Sequence, residues 1–291
     1  MITSHSNKAV RDVIQLTQKA KARNKQDVFV VEGVKMFEEA PVERIQKVYM
    51  AERAQVELRE AYKEKLARLS CEIVADEVFD KMSDTKTPQG LLCLVRQYHY
   101  SIEDILAGGR KKVFVSGNAA EDKRAGAGAI KYVGNNKKQP LFIVLEDLQD
   151  PGNLGTIFRV GEGAGVSGII MSSHTVDIYN PKTIRSTMGS VYRVPFLYAD
   201  DLGTTLKVLQ EHDITVYAAH LNGNQCYDEK DYHKGTAFLV GNEANGLREE
   251  TVECADECIR IPMEGKVESL NAAVASSVLL YEAYRQRRLV M

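Results

Sequence analysis

No stretch of this chain approaches the roughly 18 uninterrupted apolar residues that a membrane-spanning helix needs, so a bilayer span is not expected. The opening residues, MITSHSNKAVRD, lack an apolar core, and no secretory signal is expected either. Cysteine is sparse: five residues, an odd number, with no CxxC pair. That pattern suits a reducing cytoplasm better than a disulfide framework, so a cytoplasmic protein is expected. Cys254 and Cys258 stand one helical turn apart, but no histidine lies within ligand spacing, and ordinary packing is the plainer reading. No metal site is expected. The common nucleotide and hydrolase signatures are missing too, for there is no GxxxxGK[ST], HExxH or GxSxG. Gly161, Gly163 and Gly165 are closely spaced but follow a predicted helix rather than a strand, which removes a nicotinamide-dependent dehydrogenase. Net charge is nearly absent as well, at −2, and taken whole it gives no sign of a nucleic-acid partner.

What the chain does contain is ordinary in bulk: 44% hydrophobic and 27% charged residues, which exclude disordered and fibrous classes. Its 291 residues favour two domains, each able to bury a core. Charge is distributed unevenly between them. Residues 1–107 are neutral, 108–140 carry a net +6, and 141–291 carry a net −8. The middle segment is rich in Gly, Ala and Lys, has only short apolar runs, and reads as a linker. Its basic residues, Arg110, Lys111 and Lys112 among them, either solvate a flexible segment or hold a polyanion.

In the first domain, Val10, Val13, Ile14 and Leu16 fall near helical spacing and should face a core. Lys19, Lys21, Arg23 and Lys25 would then be presented outward at the helix end. There they either complement the helix dipole or contact phosphates. Strands at 28–32, near 47–50 and at 90–95, with helices at 34–40 and 56–66, describe a small α/β domain.

The second domain opens with LFIVLE (141–146), an apolar run suited to a strand buried on both faces. Strands at 168–171, 214–219, 237–240 and 258–261 alternate with helices at 154–164, 181–188, 202–211 and 268–288. That alternation predicts a parallel sheet covered on both sides, with ligands gathered at the carboxyl ends of its strands. Three loops there carry unusual residues. The first is EDLQDPGNLGTIFR, in which Asn153 should cap the following helix and Arg159 projects from its early turns. The second, LVGNEANG, places Gly241, Asn242 and Glu243 at a strand end; Glu243 could be a general base or only a helix-terminal charge. The third, IPMEGKVESLN, leads Ser269 and Asn271 into a long helix lined with small residues.

Together these loops resemble the three signature motifs of the SpoU (TrmH) family of RNA ribose 2′-O-methyltransferases. The resemblance is carried, in order, by DPGNLGTIFRVGEGAGV, FLVGNEANGL and IRIPMEGKVESLNAAVASSVLLYEAYR, and spans residues 141–289. The first domain, with FVVEGVKMFEEA and DTKTPQGLLCLV, is similar to the substrate-binding domain that precedes many members. The resemblance implies a deep trefoil knot, bound S-adenosylmethionine, and a homodimer whose interface completes each site. It places Arg159, Asn153, Glu243, Ser269 and Asn271 in the catalytic set. It places Leu221, Asn222, Val240, Gly241, Ile261, Met263 and Leu270 at the cofactor. Given an RNA substrate, the local basic excess, and not any family motif, makes Lys19, Lys21, Arg23, Lys25, Arg110, Lys111 and Lys112 the candidate RNA contacts. The implied substrate is structured RNA, ribosomal before transfer RNA, and the rival reading is a protein that binds RNA without catalysis.

Overall fold

The computed structural model describes residues 1–107, 111–115, 129–133 and 139–289. The first domain begins with α1 (Lys8–Gln18), which Asn7 caps by accepting the Ala9 N–H at 2.9 Å, and which buries Val10, Val13 and Leu16. Lys19 is extended, and the chain restarts as α2 (Ala20–Gln26). There follow β1 (Val28–Glu32), α3 (Val34–Glu39), β2 (Ile45–Ala51), α4 (Gln55–Ala61), α5 (Lys63–Leu66), β3 (Cys71–Val74), α6 (Asp76–Met82), β4 (Leu91–Arg96) and α7 (Ile102–Leu106). Their sheet runs β1-β4-β2-β3, with β4 antiparallel to both neighbours and β3 parallel to β2. The charged helix expected at 56–66 is two short helices, and β3 gave no clear signal because CEIV is only four residues long with a glutamate inside it.

The segment expected to be only a linker contains an antiparallel pair, β5 (Lys111–Val115) with β6 (Ala129–Val133). Each holds three β-branched or aromatic residues in five, enough for a strand although short. Lys111 and Lys112 lie on β5; Arg110 lies outside the described residues.

In the second domain β7 (Leu141–Leu145) is wholly buried, as an apolar run covered by helices on both faces must be. It is followed by α8 (Pro151–Ala164), β8 (Gly168–Ser172), α9 (Pro181–Thr187), β9 (Phe196–Ala199), α10 (Leu202–Glu211) and β10 (Ile214–Ala219). Then come β11 (Gln225–Cys226), β12 (Gly235–Val240), α11 (Glu249–Val252), β13 (Glu257–Arg260) and α12 (Ala272–Arg288). All neighbours in the order β11-β13-β10-β12-β7-β8-β9 are parallel. From β7 the chain moves outward through β8 and β9, then crosses back, and β12 inserts between β10 and β7. The reversal of direction therefore falls at β7 and β12, where open α/β sheets bind ligands at their carboxyl edge.

The domains share a core. Phe29 stacks on Tyr179 at 4.7 Å between ring centroids, and Tyr179 and Phe158 both meet Phe196 edge-on. Ile105, counted with the first domain in the sequence, is buried with Phe142, Val144 and Ile170 of the second. Among the described residues no helix is long and apolar enough to cross a membrane.

Candidate active site

Two loops and one helix start converge at the carboxyl ends of β7 and β12. The helix after β7 is capped by Asp150, not Asn153: Asp150 Oδ1 accepts the Asn153 N–H at 2.8 Å, and Pro151 occupies the first turn. This corrects the sequence expectation and frees the Asn153 side chain. That N–H, with help from Lys182 and against some desolvation, holds the Asp150 carboxyl below its ordinary value. Asn153 Nδ2 donates to Glu243 Oε1 at 2.9 Å, while its Oδ1 accepts from Asn271 Nδ2 at 3.0 Å. The Glu243 carboxylate also accepts the backbone N–H groups of Gln149 and Asp150, each at 3.2 Å. Glu243 is thus not a charge on a following helix; it is the anchor onto which the first loop closes. Asn242 adds a second tie, donating from Nδ2 to the Asp147 carbonyl at 2.7 Å.

Glycine at 241 is demanded by the loop's own closure. Asn242 and Gly246 exchange backbone hydrogen bonds at 3.0 and 2.9 Å, and a Cβ on Gly241 would lie 2.2 Å from the Gly246 carbonyl carbon. The far end of this loop is held by Glu146, 1% exposed, which accepts from Arg248 and Thr251. Neither Gln149 nor Glu146 stood out in the sequence, because one acts through its backbone and the other is a carboxylate in an apolar run.

The third motif differs from its expected form. Residues 268–271 are not helical; Asn271 is the cap of α12, with Oδ1 accepting Ala273 N–H at 2.9 Å and Val274 N–H at 3.3 Å. One amide side chain therefore starts the helix and holds Asn153. Ser269 is exposed and makes no hydrogen bond among the described residues. Arg159 is exposed on α8, with no hydrogen bond or ion pair to a described residue.

Beside this network the loops after β10 and β13 lie against each other. A Cβ on Gly223 would come within 2.6 Å of the Ile259 carbonyl carbon, and His220 N–H donates to the Ile259 carbonyl at 2.9 Å. Leu221 is 60% exposed there and Asn222 is exposed; Ile261, Met263 and Leu270 are half-buried, and Val240 is buried at the end of β12. An apolar side chain left open beside a polar network is a ligand-facing arrangement.

Of the basic residues expected to face outward, Lys19, Lys21 and Lys25 are exposed. Arg23 is not. It is 3% exposed and ion-paired with Asp177 of the second domain, which corrects its assignment as a phosphate contact. A count of basic residues treats the four alike, and the break at Lys19 removes any helical phase that could have set Arg23 apart from its neighbours.

A parallel α/β sheet with side chains from three of its loops bonded at the point where strand order reverses is a ligand-binding α/β architecture. The comparisons make the class particular. The model of the SpoU rRNA Methylase family matches residues 140–281, and the MRM3-like substrate binding domain matches residues 7–93. The chain is 26% identical over 282 residues to the 23S rRNA (guanosine(2553)-2'-O)-methyltransferase RlmP of Bacillus subtilis, covering 96% of this chain and 97% of that one. It is 32% identical over 169 residues to the 23S rRNA (guanosine-2'-O-)-methyltransferase RlmB of Bordetella pertussis, covering 58% and 69%. An AdoMet-bound rRNA methyltransferase from Sinorhizobium meliloti superimposes with a TM-score of 0.76 at 30% identity, over 98% of this chain and 97% of that one. The chain belongs to the SpoU rRNA methylase family.

Proposed function

We propose that this protein transfers a methyl group from S-adenosylmethionine to the 2′-oxygen of one ribose in ribosomal RNA. The observation that carries this reading is the Asn271–Asn153–Glu243 chain of hydrogen bonds at the reversal point of the sheet, with Arg159 about one and two-thirds turns further along α8. The loops fit the cofactor's chemistry: an exposed leucine and half-buried apolar residues suit its nucleoside and thioether, and closely folded glycine loops offer backbone groups. Gly241, Ile261 and Leu270 would hold it mainly through the backbone, with Leu221, Asn222, Val240 and Met263 around it. When bound, S-adenosylmethionine supplies an electrophilic sulfonium methyl.

The chain's own task is to present a weak nucleophile. A ribose hydroxyl must be aligned and must shed its proton as it attacks, and alignment supplies much of the acceleration. A guanidinium offers five donors and no acceptor, so Arg159 serves as an electrostatic clamp on the neighbouring phosphate and on the developing alkoxide rather than as a base. Asn153, fixed at both ends of its amide, orients Arg159 or the ribose; Ser269 shapes the floor. Lys19, Lys21, Lys25 and the basic segment containing Arg110, Lys111 and Lys112 hold phosphates. The family's trefoil knot and homodimer belong to this reading. An exposed face of α12 with Val274, Tyr281 and Tyr284 supports the second.

The test is to incubate the purified protein with S-adenosylmethionine and separately with ribosomal and transfer RNA, and to map 2′-O-methyl positions. One new ribose methyl in ribosomal RNA is expected, with Arg159→Ala lowering turnover by about 10²–10³ while cofactor binding persists. Methylation of transfer RNA alone would replace the substrate, and cofactor binding absent from the wild-type protein would replace the enzyme with a binding protein.

A further inference from the structure

Several polar ties cross between the two domains, among them Arg185–Asp84 and Arg193–Glu39, and the one that reaches α2 is made by its single inward-turned basic residue. Lys21 and Lys25 lie one turn apart on the outer face of α2 and make no hydrogen bond or ion pair with any described residue. Arg23, about 200° around the helix from Lys21, is buried. Its Nη1 donates to the carbonyls of Leu16 at 2.7 Å and Thr17 at 3.2 Å, which fixes the break between α1 and α2. Its Nε, at 3.0 Å, and Nη2, at 2.5 Å, both donate to Asp177 Oδ2. Asp177 is itself held, with Oδ1 accepting the Tyr179 N–H at 2.8 Å and its carbonyl accepting Asn180 N–H at 3.0 Å at the start of α9. The residues just before it are tied to the site: Val176 N–H donates to the Leu148 carbonyl at 2.8 Å, and Gln149 Nε2 to the His174 carbonyl at 2.9 Å. Gln149 then donates its backbone N–H to Glu243.

Desolvating an ion pair gives little net stability over apolar packing, and the adjoining Phe29–Tyr179 stack already supplies apolar contact. What the pair adds is direction. A guanidinium satisfied on both edges leaves α2 one docking angle on the segment that supports the first catalytic loop.

We propose that Arg23 is a positioning residue for substrate selection. Through Asp177 it holds Lys19, Lys21 and Lys25 at a fixed distance from Arg159. The ribose methylated is then the one lying at that distance, along the folded RNA, from the phosphates the lysines grip. This rests on the methyltransferase reading above.

The experiment uses the full chain and the ribosomal RNA fragment that the wild-type protein methylates. Arg23→Lys and Asp177→Asn are compared with wild type for kcat, KM, S-adenosylmethionine affinity by calorimetry, melting temperature, and the nucleotide modified. A KM increase of about tenfold, with kcat and cofactor affinity within about threefold and methyl spread over neighbouring riboses, is expected. A lower melting temperature with unchanged KM and unchanged modified nucleotide overturns the proposal, because a purely structural pair would give that result. Should either variant fail to fold, the exposed pair Lys21→Glu with Lys25→Glu tests the same span. It should raise KM and flatten its salt dependence, and an unchanged KM overturns the proposal. Wild-type protein that methylates no RNA would instead sink the reading beneath it, a distinguishable failure.

Discussion

Burial pushes the Glu243 carboxyl up, but hydrogen bonds from the Asn153 amide and from the backbone N–H groups of Glu243, Gln149 and Asp150 outweigh it, holding the group below the ordinary glutamate value of 4.5. A carboxylate so stabilised is a poor proton acceptor near neutrality. Because its folded value is depressed, whatever stability it gives is fully present above the ordinary glutamate range and is lost only as pH falls through the lower folded value. Glu243→Gln should therefore lower turnover by about tenfold, since the new amide turns a donor toward groups that are themselves donors. It should leave the shape of log kcat between pH 6 and 9 unchanged. A neutral-range acid limb that disappears on this substitution would instead make Glu243 the base.

At the scale of the element, Asn271 carries two duties that can be separated. Its Oδ1 caps α12 and its Nδ2 holds Asn153. Asn271→Ala should cost about 1 kcal/mol of stability from the lost cap and should also lower methyl transfer. Asn271→Ser restores a capping oxygen but no amide to reach Asn153, so melting temperature should recover while turnover stays low. Recovery of both would leave the Asn153 contact without a role. Neither duty was legible beforehand, because the cap lies four residues inside what periodicity reads as helix: Glu268 to Asn271 continue the polar–apolar rhythm of α12. The same limit explains Asn153, where Asp150 wins the cap because Pro151 fits the first turn. Strands with continuous apolar runs, such as β7, β8, β10 and β12, could be read directly. FLYA of β9 could not, although it is apolar, for four residues are too short a run to tell a strand from a loop. Arg159, Glu243 and Asn271 were legible as a set only through the family's motifs; no spacing rule joins residues 84 and 28 positions apart.

For the molecule as a whole, the net charge of −2 averages a neutral first domain, a segment of +6 and a second domain of −8. A domain of net negative charge repels a polyanion overall, so under the proposed function α2 and the basic segment would add phosphate affinity to the local clamp at Arg159. The acidic domain also leaves a face uncovered. Val274, Tyr281 and Tyr284 are 48%, 48% and 38% exposed along one side of α12, and the Tyr281 and Tyr284 rings meet edge-on at 5.8 Å. Tyr281 lies over α8 so closely that a Cβ on Gly163 would be 3.0 Å from its hydroxyl. Arg159 precedes Gly163 by one turn on the same side of α8. A second copy covering α12 would thus border Arg159 and help enclose the RNA. In a two-fold dimer each substitution acts twice, once from each protomer, so Tyr281→Glu would place two carboxylates in the buried interface and should give a monomer by sedimentation. Tyr281 lies outside the Asn153–Glu243 network, so the fold and that network should persist in the monomer while methyl transfer falls at least about tenfold, the loss expected when a site is left incomplete. A monomer with full activity would separate the α12 face from catalysis, and an unchanged dimer would move the interface elsewhere.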